Sequence, residues 1–158
     1  LRVKEMGAGM DDKKALFGQE SVIDLRMVIG LNRSTNLLGR RAGPIFRKHG
    51  LTTMQFAVLE ALYHKGDLKI GEIIEKVLTT SGNMTVVINN LEREGLVDKR
   101  PAPTDSRAFI ISLTESGRAR MEAVFPEYLA DMRNTMSALT DDEKQAVVLA
   151  LKKLCGQA

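Results

Sequence analysis

Between residues 80 and 117 the spacing of apolar positions changes from helical to alternating. Met84, Val87, Ile88 and Leu91 recur at helical spacing and predict one buried face. The opposite face carries Asn83, Thr85, Val86, Asn89, Asn90 and Arg93, which are hydrogen-bonding groups and one small methyl surface. Gly95 follows, where a helix end favours positive φ. Residues 96–100 then alternate weakly, and residues 108–113 place Phe109 and Ile111 on one side and Ile110 on the other. Pro101-Ala102-Pro103-Thr104-Asp105-Ser106-Arg107 reads as the loop between these strands, because proline cannot donate to a sheet ladder. The pattern predicts a helix, a sharp stop and a hairpin with a long tip.

Upstream, Ser21 is read as the cap of a long first helix, with Asp24 in its first turn. Val22, Leu25, Ile29 and Leu38 form an interrupted stripe that Ile45 and Phe46 continue. Pro44 is expected to kink this helix or end it at Gly43. Thr52, three residues before Gln55, makes a capping box with Leu51 as the staple, and Phe56, Leu59, Leu62 and Tyr63 follow. His64, Lys65 and Gly66 end that helix, and Asp67-Leu68-Lys69 is short enough for one bridging strand. Ile70, Ile73, Ile74 and Val77 predict a brief helix, Leu78-Thr79-Thr80 the turn after it, and Thr80 or Ser81 the next cap. Two short helices across such a turn, followed by a basic hairpin, have the form of a winged helix-turn-helix.

Downstream, Thr114 caps a long helix with a stripe of Met121, Val124, Phe125, Tyr128, Met132 and Met136, bent at Pro126. Thr140 and Glu143 form a second capping box, and Val147, Leu151 and Leu154 line the last helix. The terminal helices carry more apolar surface than one small lobe can bury, which predicts a homodimer built by them. The expected fold class is mainly α with a small β-hairpin wing (α+β). Residues 1–19 are expected to be disordered or vector-derived, with Met6 or Met10 as a native start. Residues 20–50 form a dimerisation helix, 51–113 the DNA-binding lobe and 114–158 the C-terminal dimerisation helices.

Composition narrows the picture. At 158 residues the chain is long enough for a real core, and 44% hydrophobic with 27% charged residues is ordinary for a globular protein. A net charge of +3 permits nucleic-acid binding without demanding it. Arg33, Arg40, Arg41, Arg47 and Lys48 are read as a solvated face or a DNA contact, the solvated face being the commoner meaning. The single Cys155 excludes an internal disulfide and a cysteine-built zinc site, and is expected in a reduced, cytoplasmic protein. No run reaches the roughly 18 apolar residues of a membrane span, and the first residues lack a secretory core.

His49 and His64 lie in no metal-ligand pattern, no glycine loop cradles phosphate, and Ser81-Gly82 is no nucleophile elbow. Neither an enzyme, a metal nor a cofactor is expected. In a helix-turn-helix the second helix enters the major groove. Asn83, Asn89 and Asn90 can bond adenine or phosphate, Val86 can touch a thymine methyl, and Ser81, Gly82 and Thr85 suit phosphate at the helix start. Lys99, Arg100 and Arg107 gather on the hairpin, with Asp105 and Ser106 beside Arg107. An arginine on the tip can enter the minor groove.

Ser81, Thr85, Leu91, the Glu92-Arg93-Glu94-Gly95-Leu96-Val97 exit, Arg100, Asp105-Ser106-Arg107, and Leu113-Thr114 followed by Gly117 resemble the MarR family of bacterial transcriptional regulators. The resemblance covers roughly residues 51–120. It implies a triangular homodimer on pseudo-palindromic operators, usually a repressor relieved by a small aromatic or phenolic ligand or by oxidation. Many members place an arginine directly after the conserved threonine, where this chain has Val86. Its absence predicts greater reliance on A·T contacts and on the wing. Peroxide-sensing members use a cysteine near the N-terminus, so that mechanism does not transfer to Cys155. An effector between the dimerisation helices and the DNA-binding lobe would lie near Arg40, Phe46, His49, Met54 and Tyr63. The alternative is a winged helix used for protein–protein contact or dimerisation without DNA.

Overall fold

The computed structural model describes residues 19–77, 81–103 and 105–156, with side chains described at all of these but 19, 20, 81 and 105–107. In chain order the elements are α1 (Gln19–Lys48), α2 (Thr53–Lys65), β1 (Leu68–Lys69), α3 (Ile70–Val77), α4 (Ser81–Arg93), β2 (Val97–Ala102), β3 (Asp105–Leu113), α5 (Glu115–Met136) and α6 (Asp141–Leu154). The chain divides into two compact units, residues 1–40 and 41–158.

In the first unit α1 is already helical at Gln19, so Ser21 lies inside the helix and does not cap it. Ile23, Leu25, Val28, Ile29 and Leu37 of this stretch are exposed. Nor does Pro44 end α1, which continues to Lys48. Proline removes one backbone donor, but tertiary anchors hold the helix on both sides of it. Ala42 and Phe46 are buried in the core of the second unit. Arg41 forks onto Asp131 of α5, with Nε 3.2 Å from Oδ2 and Nη2 on Oδ1.

Gly50 at φ 72° then reverses the chain, and the Leu51 amide returns to the Phe46 carbonyl at 2.9 Å. The Thr52–Gln55 capping box opens α2 as expected. Gln55, only 7% exposed, also donates to Glu94 Oε1 at 3.1 Å, so the start of α2 is tied to the end of α4.

The core of the second unit gathers Leu59 and Leu62 of α2, Ile73 of α3, Met84, Ile88 and Leu91 of α4, and Met121 and Val124 of α5. Ile111 of β3 and Val97 of β2 close it on the sheet side. At 25 cal/mol per Å² of apolar surface, each such side chain contributes about 1.5–3 kcal/mol of burial. An aromatic group packs at one end: Phe46 stacks on Phe56 with centroids 4.0 Å apart, and Tyr128 meets Phe56 edge-on at 5.0 Å.

The strands order β1–β3–β2, all antiparallel, with Leu68 opposite Ile111 and Val97 opposite Leu113. The wing departs from expectation. Its strands run further toward the tip, so Pro101 and Ala102 belong to β2 and residues 105–107 to β3 instead of a long loop, with Ala102 opposite Asp105. Pro101 pairs with Phe109, and a register shift follows between Pro101 and Ala102. Because β2 is an edge strand, its missing N–H need not break a bond to a neighbour. Thr114 caps α5 by accepting from the Gly117 amide at 2.9 Å and donates to the Gly95 carbonyl at 2.7 Å. The helix runs through Pro126 to Met136. The second capping box, Thr140 with Glu143, opens α6, none of whose residues is buried.

Candidate nucleic-acid interface

The helix α4 turns one face to the core and the other outward. Met84, Val87, Ile88 and Leu91 are buried, and Gly82, Asn83, Thr85, Val86, Asn89 and Arg93 are exposed. Asn90 is half-buried. Val86 is 58% exposed, an apolar group held in water in the middle of a polar face. A Schellman motif ends the helix: Gly95 has φ 69°, its amide meets the Glu92 carbonyl, and the Leu96 amide meets the Leu91 carbonyl at 2.9 Å. This sharp reversal sends β2 off directly beside the helix. The Leu78-Thr79-Thr80 turn lies outside the described residues.

The polar groups of the helix and wing are organised in pairs. Lys99 Nζ donates to Asn89 Oδ1 at 3.2 Å and lies 4.7 Å from the Phe109 ring centroid. Arg93 Nη2 donates to Asn90 Oδ1 at 2.9 Å. Arg100 Nη2 donates to Asp67 Oδ2 at 2.5 Å, an exposed pair that ties β2 to the turn before β1. Lys99 and Arg100, consecutive on a strand, therefore serve different partners, as the strand's period of two requires. Lys99 joins the α4 side, whereas Arg100 points to Asp67. The backbone of Asp105, Ser106 and Arg107 is strand; their side chains lie outside the described residues, as does that of Ser81. Asp67 as the partner of Arg100, and Phe109 as the ring beneath Lys99, had no signal in the chain's local pattern, since strand pairing brings these residues together.

Of the residues expected around an effector, Phe46, Met54 and Tyr63 pack in or against one core cluster. Phe46 is buried and stacked on Phe56. His49 Nε2 lies 3.2 Å from Glu127 Oε2, which also accepts from Lys48 at 2.9 Å. These two hydrogen bonds, that from Lys48 first, hold the Glu127 carboxyl below its usual range. Arg120 Nη1 donates to the His49 carbonyl at 2.8 Å. Met54 is half-buried against the core. Tyr63 packs beside Phe125, with the Arg118 guanidinium 5.4 Å from its ring. Arg40 belongs to the first unit.

An open cleft of 430 Å³ flanks α2 and the end of α3, lined among others by Glu60, His64, Lys65, Lys76 and Val77. Burial pushes the Glu60 carboxyl above its usual range, partly offset by His64, and Tyr128 is raised by its own burial and by Glu60. The periodicity gave no sign of this cleft, because Glu60 reads as an ordinary polar position. Among the described residues no cluster of metal-ligating side chains occurs, and no helix is long and apolar enough to cross a membrane.

The arrangement of α3, α4 and the wing matches known proteins. The sequence model of the MarR family matches residues 49–108, from the turn before α2 into β3. The HTH-type transcriptional regulator MhqR of Bacillus subtilis is 34% identical over 130 residues, covering 82% of this chain and 90% of that protein. Among solved structures, a MarR family transcriptional regulator of Streptomyces coelicolor in complex with DNA aligns with TM-score 0.77 at 16% identity. The alignment covers 83% of this chain and 84% of that one. BpsR of Bordetella bronchiseptica, whose DNA binding is regulated by 6-hydroxynicotinic acid, aligns with TM-score 0.67 at 25% identity, covering 80% of this chain and 98% of that one.

Proposed function

The chain belongs to the MarR family of DNA-binding transcriptional regulators, and from that premise we propose that it is a cytoplasmic, homodimeric repressor released by a small aromatic or phenolic ligand. Members of the family regulate transcription and are not enzymes. The observation that carries the proposal is α4 itself: four apolar side chains fix it to the core while Thr85, Val86 and Asn89 face outward on one stripe. Such a helix enters a major groove, and the wing beside it reaches the backbone or the minor groove. Ser81, Gly82, Asn83 and Thr85 are placed in sequence to meet phosphate at the helix start. Arg107 is assigned to the minor groove at the wing tip.

Dimerisation is supported by two apolar surfaces, each exposed in its own unit. Ile23, Leu25 and Val28 on α1, and Val147, Val148 and Leu149 on α6, leave large aliphatic side chains in water. A monomer gains by covering exposed aliphatic surface of this kind. A two-fold dimer would carry two copies of α4, and successive major grooves on one duplex face lie about 34 Å apart. The operator is then pseudo-palindromic.

Release by an aromatic ligand is supported by BpsR, whose regulator is a hydroxylated aromatic acid. On this chain the cleft beside Glu60 and His64 offers mixed polar and apolar lining of suitable size. The proposal is tested by fluorescence anisotropy on duplexes from upstream of the protein's own coding region, titrated with hydroxylated aromatic acids. Binding as a dimer, lost on addition of one of these acids, supports it. Binding that none of them changes removes the ligand from the proposal, and absence of binding at low salt removes the repressor.

A further inference from the structure

The geometry points to Lys99 as a positioning residue that sets which base edge Asn89 reads, by turning the Asn89 amide donors toward DNA. This rests on the DNA-binding reading and goes beyond it to the specificity of one contact. Lysine can only donate, so the amide atom facing Lys99 Nζ at 3.2 Å must be the oxygen. The planar amide then carries its two N–H groups on the other side. Lys99 is itself held: its ammonium lies over the Phe109 ring, and its backbone pairs with Ile111 in the ladder.

Asn89 lies three residues after Val86 and four after Thr85, so the three share the outward stripe of α4. Arg93 repeats the device one position on, where it claims the Asn90 oxygen. An unrestrained asparagine reads adenine bidentately, accepting from N6 and donating to N7. Here the oxygen faces a cation, whose positive charge opposes the approach of a second donor such as N6–H. What remains is a pure donor group, and guanine presents two acceptors, N7 and O6, with no donor between them. Asn89 is thereby biased from adenine toward guanine, and the bias comes from the wing.

The test is selection from a randomised duplex library by the full chain and by Lys99→Met, Lys99→Arg, Asn89→Ala and the Lys99→Met/Asn89→Ala double variant. Melting temperature controls for folding. Methionine keeps an unbranched chain over Phe109 and removes the donor; arginine keeps a donor. The wild type should enrich guanine at one position per half-site. Lys99→Met and Asn89→Ala should each lose on the order of tenfold of that preference. The double variant should lose no more than either, and Lys99→Arg should retain it. If Lys99→Met keeps the preference and weakens all sequences alike, Lys99 is a phosphate contact and the inference is overturned. Additive losses, or adenine enriched at that position by the wild type, overturn it too. A wild type that enriches no sequence overturns the DNA-binding reading itself, and the inference with it.

Discussion

Gly117, in the first turn of α5, lies so close to the Leu96 carbonyl that a β-carbon built on it would fall 2.0 Å from that oxygen. The obstacle is backbone, which cannot swing aside as a side chain tip can. The same carbonyl accepts the Thr114 amide at 3.2 Å, and the Thr114 hydroxyl donates to the Gly95 carbonyl. The exit from α4, the start of β2 and the start of α5 are thus one closely packed junction. Gly117→Ala should destabilise the fold by about 1–3 kcal/mol, the usual cost of overpacking, at the upper end of that range. Urea denaturation checks this; a stability within 0.5 kcal/mol (roughly the scatter of a neutral surface change) would mean that the junction yields easily.

Arg100 is engaged with Asp67, and both side chains are about half exposed. An exposed pair of this kind contributes under about 1 kcal/mol. Asp67→Ala should therefore barely move stability but free the guanidinium for phosphate. Duplex affinity at low salt should rise severalfold, with a salt slope steeper by roughly one counterion. Arg100→Ala should cancel the gain in the double variant. Equal affinities for wild type and Asp67→Ala would show that Arg100 does not reach DNA even when released.

Glu127 gives the α1–α5 contact a pH dependence. Its carboxyl is held low by Lys48 and His49, so the ionised form is favoured in the fold. The sign follows from linkage: its stabilisation is present above the unfolded carboxylate value and lost as pH falls through the lowered folded value. Glu127→Gln should thus destabilise at neutral pH, and the deficit should shrink toward zero through and below the usual carboxylate range. Denaturation midpoints of both proteins between neutral pH and pH 3 (roughly one unit below a free glutamate) measure it.

Glu60 has the opposite sign. Burial raises its carboxyl, so the protonated form is favoured in the fold and stability is lost as pH rises through the folded value. Glu60→Gln should stabilise at neutral pH and match the wild type in acid. Because Glu60 also raises Tyr128, the same variant should lower the alkaline titration of that phenol, read by absorbance. A neutral-pH loss of stability on substitution would mean that the ionised carboxylate has a partner in the fold.

What could be read from the chain was local. The Thr52 and Thr140 capping boxes, the Gly95 stop and the buried stripe of α4 all depend on residues within one or two turns of each other. Pro44 and Pro101 misled for the same reason. Each is a local breaker, and each is tolerated because distant groups support it: Asp131 and the aromatic core around α1, and β3 beside an edge strand. The site divided the same way. Which residues face outward from α4 followed from periodicity, whereas the partners Asp67 for Arg100 and Asn89 for Lys99 required the fold. The effector residues were inferred by resemblance alone; in the fold Phe46 and Tyr63 are linked through the ring contacts of Phe56 and Phe125.

The central claim is that the outward face of α4 enters duplex DNA. Val86, at the middle of that face and 58% exposed, tests it most directly, since Val86→Glu adds a charge without touching the core. Equilibrium affinity for a duplex selected by the wild type is measured across salt concentrations for both proteins, with melting temperature alongside. The account predicts a wild-type affinity that falls steeply with salt, as phosphate contacts require, and a variant that melts normally but binds at least about a hundredfold more weakly. A variant that folds and binds that duplex as tightly as the wild type would contradict it.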